Sequence, residues 1–441
     1  MKIAFYCSNY NLQNVDFRRP QLGNPGCGAT EYLQVAIPFM LDKYYGSLFK
    51  TIIIADNNKN LPINLETYEV QKGIGKAIKK AKEEKVDIFV FKPSIKEDPG
   101  VFKFIERYKL NSVAIGQLTP SPKTIEDIHN CEYIKAFVCV GVNQYDQLVD
   151  TLLSKKLFQI NNPITDNLIC SFENSNDFEN RKDIVYMGAL FPQKNFYYLA
   201  KNWHKINLRL KSSKLHVIGS AQTYGENFKL GKYGFANESY ENLFMKEINK
   251  HKETAKNVIF HGNLIDEKYQ FFSNCRVGIV NPMGTTETCC VSAVEMQAFG
   301  LPICTGNYEA LKTTVLNHRS GLLSRSEFQF RENIIKLYTD EDLFRKLSYG
   351  AIMNAKLNFS FSLIIHRWYS LFFKIYNNQL VNKSFMPSFV SRKITLIYLL
   401  RLFNKYFLKK IFFLKKGSVI TVVLNLKDLK KFILKSFKKR N

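Results

Sequence analysis

Two carboxylates, Glu287 and Glu295, stand inside the otherwise apolar run "TETCCVSAVEMQAFGLPIC". On one continuous helix they would lie roughly 12 Å apart along the axis, at a rise of about 1.5 Å per residue. A carboxylate pair that shares acid/base work on a glycosidic bond sits closer, at about 5 to 9.5 Å. The spacing therefore suits two contact points on one elongated ligand. Between the carboxylates, the N–H groups of Thr288, Cys289 and Cys290 are expected to open a helix and to face an anion such as a phosphate. The plainer alternative makes Glu287 a helix cap and Glu295 a solvated side chain. The apolar neighbours Val291, Ala293, Val294, Met296 and Phe299 argue against it for Glu295.

Two further segments carry residue types suited to an anionic ligand. In "QLGNPGCGATEYLQVA" the glycines precede a helical pattern opening near Ala29, and Gly26, Cys27 and Gly28 would let backbone N–H groups approach a phosphate or a polyhydroxyl group. Glycine loops also serve simply as turns. In "VYMGALFPQKNFYYLAKNW", Gly188 ends a strand and Lys194 sits where a helix begins. The helix dipole opposes a cation there, so a bound anion accounts for it, as does ordinary solvation of a surface lysine. Adjacent Cys289 and Cys290 read as small packing residues. The histidines have no HxH or HxxxH spacing and the cysteines no CxxC spacing, so no metal site is expected.

These segments sit at junctions in an alternating pattern. "KIAFYC", "TIIIAD", "DIFVF", "SVAIGQL" and "AFVCVG" read as strands with amphipathic helices such as "GIGKAIKKAKEEK" between them. That alternation indicates a parallel sheet covered on both faces. The rhythm pauses at "INNPITDN" and resumes with "IVYMG", "KLHVIG", "NVIFHG", "VGIVNP" and "LPICTG". The expected fold is thus α/β, with two doubly wound Rossmann-like domains in tandem. Residues 1–165 make the first and 166–360 the second. A helix is expected over 361–380, and a basic amphipathic tail covers 381–441. In such folds ligands bind at the carboxyl ends of the strands, where the three segments lie.

The net charge of +25 is unevenly spread: residues 381–441 carry +15 of it and the remaining 380 residues only +10. Arg401, Lys405 and Lys409, then Lys427, Lys431, Lys435 and Lys439, repeat at helical spacing through apolar sequence. Uncharged runs there are shorter than the roughly 18 to 20 residues of a spanning helix. An interfacial helix on an anionic membrane surface is expected, with a helical packing or oligomerisation tail as the alternative. A nucleic-acid partner is not expected, because the basic residues belong to no recognised module. Reduced thiols and the strand-like start "MKIAFYCSN" point to the cytoplasm, so the expected location is peripheral, on the inner face of the plasma membrane.

Taken together, residues 1 to 380 resemble the retaining glycosyltransferases of the GT-B fold, in particular glycosyltransferase family 4. The E-x7-E signature is matched by Glu287 and Glu295, with "MQAFGLPI" following. "GNPGCGATEY" is similar to that family's glycine loop, "NVIFHGNLIDEKYQFFSNCRVGIVNP" to its V-x-F-x-G segment and "INNPI" to its interdomain turn. The resemblance implies metal-independent transfer of a sugar, of hexosyl type, from a nucleotide-diphosphate donor to a glycan or lipid-linked acceptor. Cell-surface polysaccharide or lipopolysaccharide assembly is the implied setting, and no cofactor is required. It further implies that the two domains face each other across a cleft, residues 1–165 on the acceptor side and 166–360 binding the nucleotide sugar, with the 361–380 helix crossing back to the first domain. It places Glu295 at the donor ribose, Glu287 at the transferred sugar and Lys194 at the diphosphate. Ala189 stands where an arginine is usual, and Gln117 of "AIGQLTP" aligns with a histidine. Gln117 can hydrogen-bond a sugar but cannot shuttle a proton. The alternative is a catalytically weak GT-B protein that binds a sugar nucleotide or assists a partner enzyme.

Overall fold

The computed structural model describes residues 1–93, 100–173, 178, 180–210, 213–224, 229–284 and 286–379. Within them, Lys2–Cys7 (β1), Lys50–Ala55 (β2), Glu66–Glu69 (β3), Ile88–Phe91 (β4), Ser112–Gly116 (β5), Ile134–Cys139 (β6) and Leu157–Gln159 (β7) form one sheet, ordered β3-β2-β1-β4-β5-β6-β7. Asp183–Met187 (β8), Leu215–Ile218 (β9), Val258–Gly262 (β10), Cys275–Ile279 (β11), Ile303–Gly306 (β12) and Gly321–Ser324 (β13) form a second, ordered β10-β9-β8-β11-β12-β13. Every strand pair in both is parallel. Each sheet reverses its order beside its first strand, which is the doubly wound topology expected from the alternation.

The central strands are largely apolar and buried along most of their length because helices cover both faces. In β2, for example, Thr51–Ala55 are all buried. Three strands escape the sequence pattern, β3, β7 and β13, and all three are sheet edges. "ETYE" of β3 is never fully buried, and β7 has three residues, so neither shows an apolar run.

One hydrophobic core spans both halves, taking in Phe5 and Ile53 from the first sheet and Val185 and Ile303 from the second. The chain's return strengthens it. Ile164 donates its N–H to Phe359 O at 2.8 Å and accepts from Phe361 N–H at 3.0 Å, a bridge that delivers the helix Phe361–Tyr376 onto the first half. There Trp368 and Phe372 meet Phe5, each at 6.1 Å between ring centroids, and Tyr369 stacks on Tyr45 at 4.4 Å. The basic stripe at Arg401, Lys405, Lys409, Lys427, Lys431, Lys435 and Lys439 lies outside the described residues. No described helix is long and apolar enough to cross a membrane.

Candidate functional site

The carboxyl ends of the two sheets face each other across a cleft of about 900 Å³. Glu287, Glu295, Lys194, Gln117, Gly188, Thr288, Cys289, Cys290, Gly26, Cys27 and Gly28 all line it, so the residues singled out in sequence converge on one cavity. Gly188 and Gly219 line it where β8 and β9 end. Gly219 has φ 120°, and a Cβ there would sit 2.3 Å from Gly188 O, so the close approach of these strand ends requires glycine at 219.

Glu287 occupies the middle of the cleft. Its side chain is 9% exposed, and its Oε2 accepts from Lys194 Nζ and from Asn281 Nδ2, each at 2.7 Å. Its Oε1 accepts from Thr288 N–H at 3.2 Å. Burial by itself would push this carboxyl up. The Lys194 ammonium, helped by the Asn281 and Thr288 hydrogen bonds, outweighs burial and holds it below the usual carboxylate range. Asn281 reaches Glu287 from a left-handed backbone position, φ 38°, of the kind that clusters at functional sites.

The expected helix from Glu287 onward is corrected here. The helix is Val291–Ala298, its N-cap is Cys290, and Glu287 to Cys290 precede it as irregular chain. Because Glu287 takes the Thr288 N–H for itself, that group is not free for a phosphate as anticipated. Thr288 instead ties the two halves together, its hydroxyl donating to Gln117 O at 2.7 Å. Cys289 and Cys290 are buried, and burial pushes the Cys289 thiol up to about 12 and raises that of Cys290. They are protonated, unreactive packing groups at neutral pH.

Glu295, four residues into that helix, is 5% exposed and is not solvated. Lys268, 4% exposed, faces it from the start of the helix Lys268–Asn274, with Nζ 3.4 and 3.5 Å from the two carboxylate oxygens. The Lys268 ammonium also lies 3.4 Å from Asn24 O, in the glycine loop of the first half. Asn24 organises that loop: its Oδ1 accepts from the N–H groups of Gly26 and Cys27, each at 3.0 Å. Sequence reasoning missed Lys268, since a lysine opening a charged helix, "IDEKYQ", looks solvated. Asn281, Lys92 and Glu31 were also missed; the last two line the first-half wall 3.9 Å apart.

Gln117 is buried and shares long reciprocal hydrogen bonds with Asn162, at 3.4 and 3.5 Å. Ala189 is also at the wall, and among the described residues the cations lining the cleft are Lys92, Lys194 and Lys268. At the far rim Glu309, itself left-handed at φ 42°, accepts from Asn143 and Gln147 of the first half, at 3.1 and 2.7 Å. No group of three His, Cys, Asp or Glu side chains is placed to hold a metal ion among the described residues.

Two doubly wound sheets, joined by a returning C-terminal helix and enclosing a cleft at their strand ends, make the GT-B architecture. Residues 171–353 match the family described as "Glycosyl transferases group 1", and this part of the chain belongs to it. That match, with the fold, supports sugar transfer as the activity. Among solved structures, a glycosyltransferase from Rickettsia africae ESF-5 is similar at 13% identity and a TM-score of 0.64, covering 86% of this chain and 99% of that one. Sucrose-phosphate synthase of Thermosynechococcus elongatus aligns at 12% identity and 0.60, covering 86% and 100%. HepE of Anabaena, in complex with UDP-glucose, aligns at 14% and 0.58, covering 85% and 100%. At these identities the likeness is one of fold. No curated protein matches the chain by sequence.

Proposed function

We propose that the protein is a retaining, metal-independent glycosyltransferase that moves a hexosyl group from a nucleotide-diphosphate donor to a glycan or lipid-linked acceptor. The observation that carries this reading is the Lys194–Glu287 pair at 2.7 Å in the cleft, with Glu295 lining the same cleft from the first turns of the helix Val291–Ala298. A donor laid along this line puts its diphosphate at Lys194, its sugar hydroxyls at Glu287 and its ribose at Glu295. Lys194 then leaves Glu287 for the phosphate, where it offsets the negative charge that builds on the departing nucleoside diphosphate. Glu287, released from its cation, is free to accept from sugar hydroxyls. Gln117 contributes hydrogen bonds to the donor sugar or the acceptor and moves no proton.

The proposed setting is cell-surface polysaccharide or lipopolysaccharide assembly at an anionic membrane surface, on the cytoplasmic side. The basic stripe of residues 381–441 supports it. So does a groove of about 310 Å³ in the first half, where Lys72, Lys76 and Lys79 border Phe104 and Tyr108. A binding protein with little turnover is the second reading, favoured by Ala189 and Gln117 at positions where the resembled family carries arginine and histidine.

Purified protein is incubated with UDP-, GDP- and ADP-sugars, and nucleoside diphosphate release and binding are measured, with Glu295→Ala as control. Release from one donor, lost in the variant, with the product anomer unchanged by NMR, supports the enzyme; binding without release supports the second reading. Neither binding nor release with any donor sinks both. Liposome co-sedimentation of the full chain against one ending at Leu380 tests the membrane proposal, which equal binding refutes.

A further inference from the structure

We propose that Lys268 is a positioning residue that ties the glycine loop of the first half to Glu295 of the second, so that donor engagement and descent of the loop are one event. The inference rests on Glu295 as a donor contact.

Lys268 is buried, and burying an ammonium costs several kcal/mol unless acceptors surround it. Three oxygens do so, two from Glu295 and one from Asn24, at 3.4, 3.5 and 3.4 Å. A charge-assisted N–H···O contact normally closes to about 2.7–2.9 Å. The ammonium is therefore centred among the three acceptors and seated on none of them. That slack leaves Glu295 able to take up donor hydroxyls without losing its cation.

The link to the loop is mechanical as well as electrostatic. Asn24 holds the N–H groups of Gly26 and Cys27 through its side chain, so the carbonyl that Lys268 engages belongs to the residue on which the loop is folded. The next residue of the same helix, Tyr269, stacks on Phe299 at 5.2 Å and brings its buried hydroxyl against Gly23, where a Cβ would lie 2.5 Å away. Lys268 and Tyr269 together form the seat of the loop. If the two halves part, Lys268 loses the Asn24 carbonyl and the loop loses the seat. A donor that braces Glu295 from the cleft side strengthens the contact that keeps both in place.

The test compares wild type with Lys268→Met, Lys268→Arg and Lys268→Met/Glu295→Gln, the double variant serving if the buried carboxylate keeps the single one from folding. In ligand-free protein, hydrogen exchange at Gly26 and Cys27 should quicken about tenfold in Lys268→Met. Exchange in β2 should be unmoved, and Lys268→Arg should restore protection. Calorimetric titration with UDP, GDP and ADP should show the nucleotide that wild type accepts bound about tenfold more weakly by Lys268→Met, the loss being about 1.4 kcal/mol. Unchanged exchange at the loop overturns the proposal whatever the nucleotide result. Wild type and Glu295→Ala binding alike would instead remove the donor reading of Glu295, while loop exchange still decides whether Lys268 seats the loop.

Discussion

Replacing Lys194 by Met removes the cation but keeps the aliphatic stem, and its consequences can be worked out at Glu287. In the wild-type protein that carboxyl is held below its ordinary value of 4.5. The stability it carries is therefore present at neutral pH and is lost as pH falls from about 4.5 through its folded pKa. Without Lys194, burial is opposed only by the hydrogen bonds from Asn281 and Thr288. Burial is the largest influence on this group, so the carboxyl of the variant moves above its ordinary value. The sign of the linkage then reverses. Stability is greatest at or below pH 4.5 and declines as pH rises toward the new folded pKa, by about 1.4 kcal/mol for each unit of upward shift.

Breaking a buried ion pair costs about 3–5 kcal/mol. Here two hydrogen bonds to Glu287 survive and the Lys194 side chain is 23% exposed, so about 2–3 kcal/mol at pH 7 is the expected loss. Urea denaturation from pH 4 to pH 8 reads it directly: the two stability curves should approach at acid pH and separate toward neutrality. If Lys194 also stabilises the leaving diphosphate, kcat should fall about 10²- to 10³-fold, as for loss of one oxyanion donor. Stability profiles that run parallel across the whole range would refute the electrostatic account of Glu287. A variant retaining wild-type kcat would refute the diphosphate role.

Three smaller perturbations probe other parts of the site. Glu309→Ala removes the acceptor shared by Asn143 and Gln147, and small-angle scattering should show a wider ligand-free particle, with donor KM raised severalfold and kcat less affected. Thr288→Val deletes the hydroxyl bond to Gln117 O and should cost about 1 kcal/mol in thermal or urea unfolding. Gly219→Ala forces a Cβ into the left-handed region and onto Gly188 O; a loss of about 1–3 kcal/mol with weakened nucleotide binding is expected, and calorimetry checks both.

The two sheets were legible because their central strands are buried on both faces and read as continuous apolar runs. β3 and β7 were not, since "ETYE" is never fully buried and β7 has three residues, and β13, though buried, is only the four residues "GLLS". Glu287 and Glu295 were visible as carboxylates in an apolar setting, and Lys194 as a cation at a helix start. Their partners were hidden by distance along the chain: Lys194 is 93 residues from Glu287 and Lys268 is 27 from Glu295. Only folding brings β8 and the "TETCC" segment side by side. The helix begins at Val291, later than expected, which agrees with the weak helix propensity of Thr288, Cys289 and Cys290; Glu287, ahead of it, is held by Lys194 and Asn281.

Under the proposed function, the charges in the cleft bear on how a site with Ala189 in place of arginine would handle a diphosphate. Lys194 faces Glu287, Lys268 faces Glu295 and Lys92 faces Glu31, while Glu309 is held by amides. Among the described lining residues the carboxylates thus outnumber the cations, so the lining itself carries no net positive charge to hold an anion. Recognition must come from exchange at close range. Phosphate oxygens compete with Glu287 for Lys194, and the freed carboxylate turns to sugar hydroxyls, so one pair supplies both the cation for the leaving group and the acceptor for the sugar. An anion without hydroxyls would take the cation and strand a buried carboxylate, and a neutral sugar would find Glu287 already occupied. Under the proposed function, a ligand that carries diphosphate and polyol together satisfies both halves of the pair, and the pairing would favour a sugar nucleotide over either part alone.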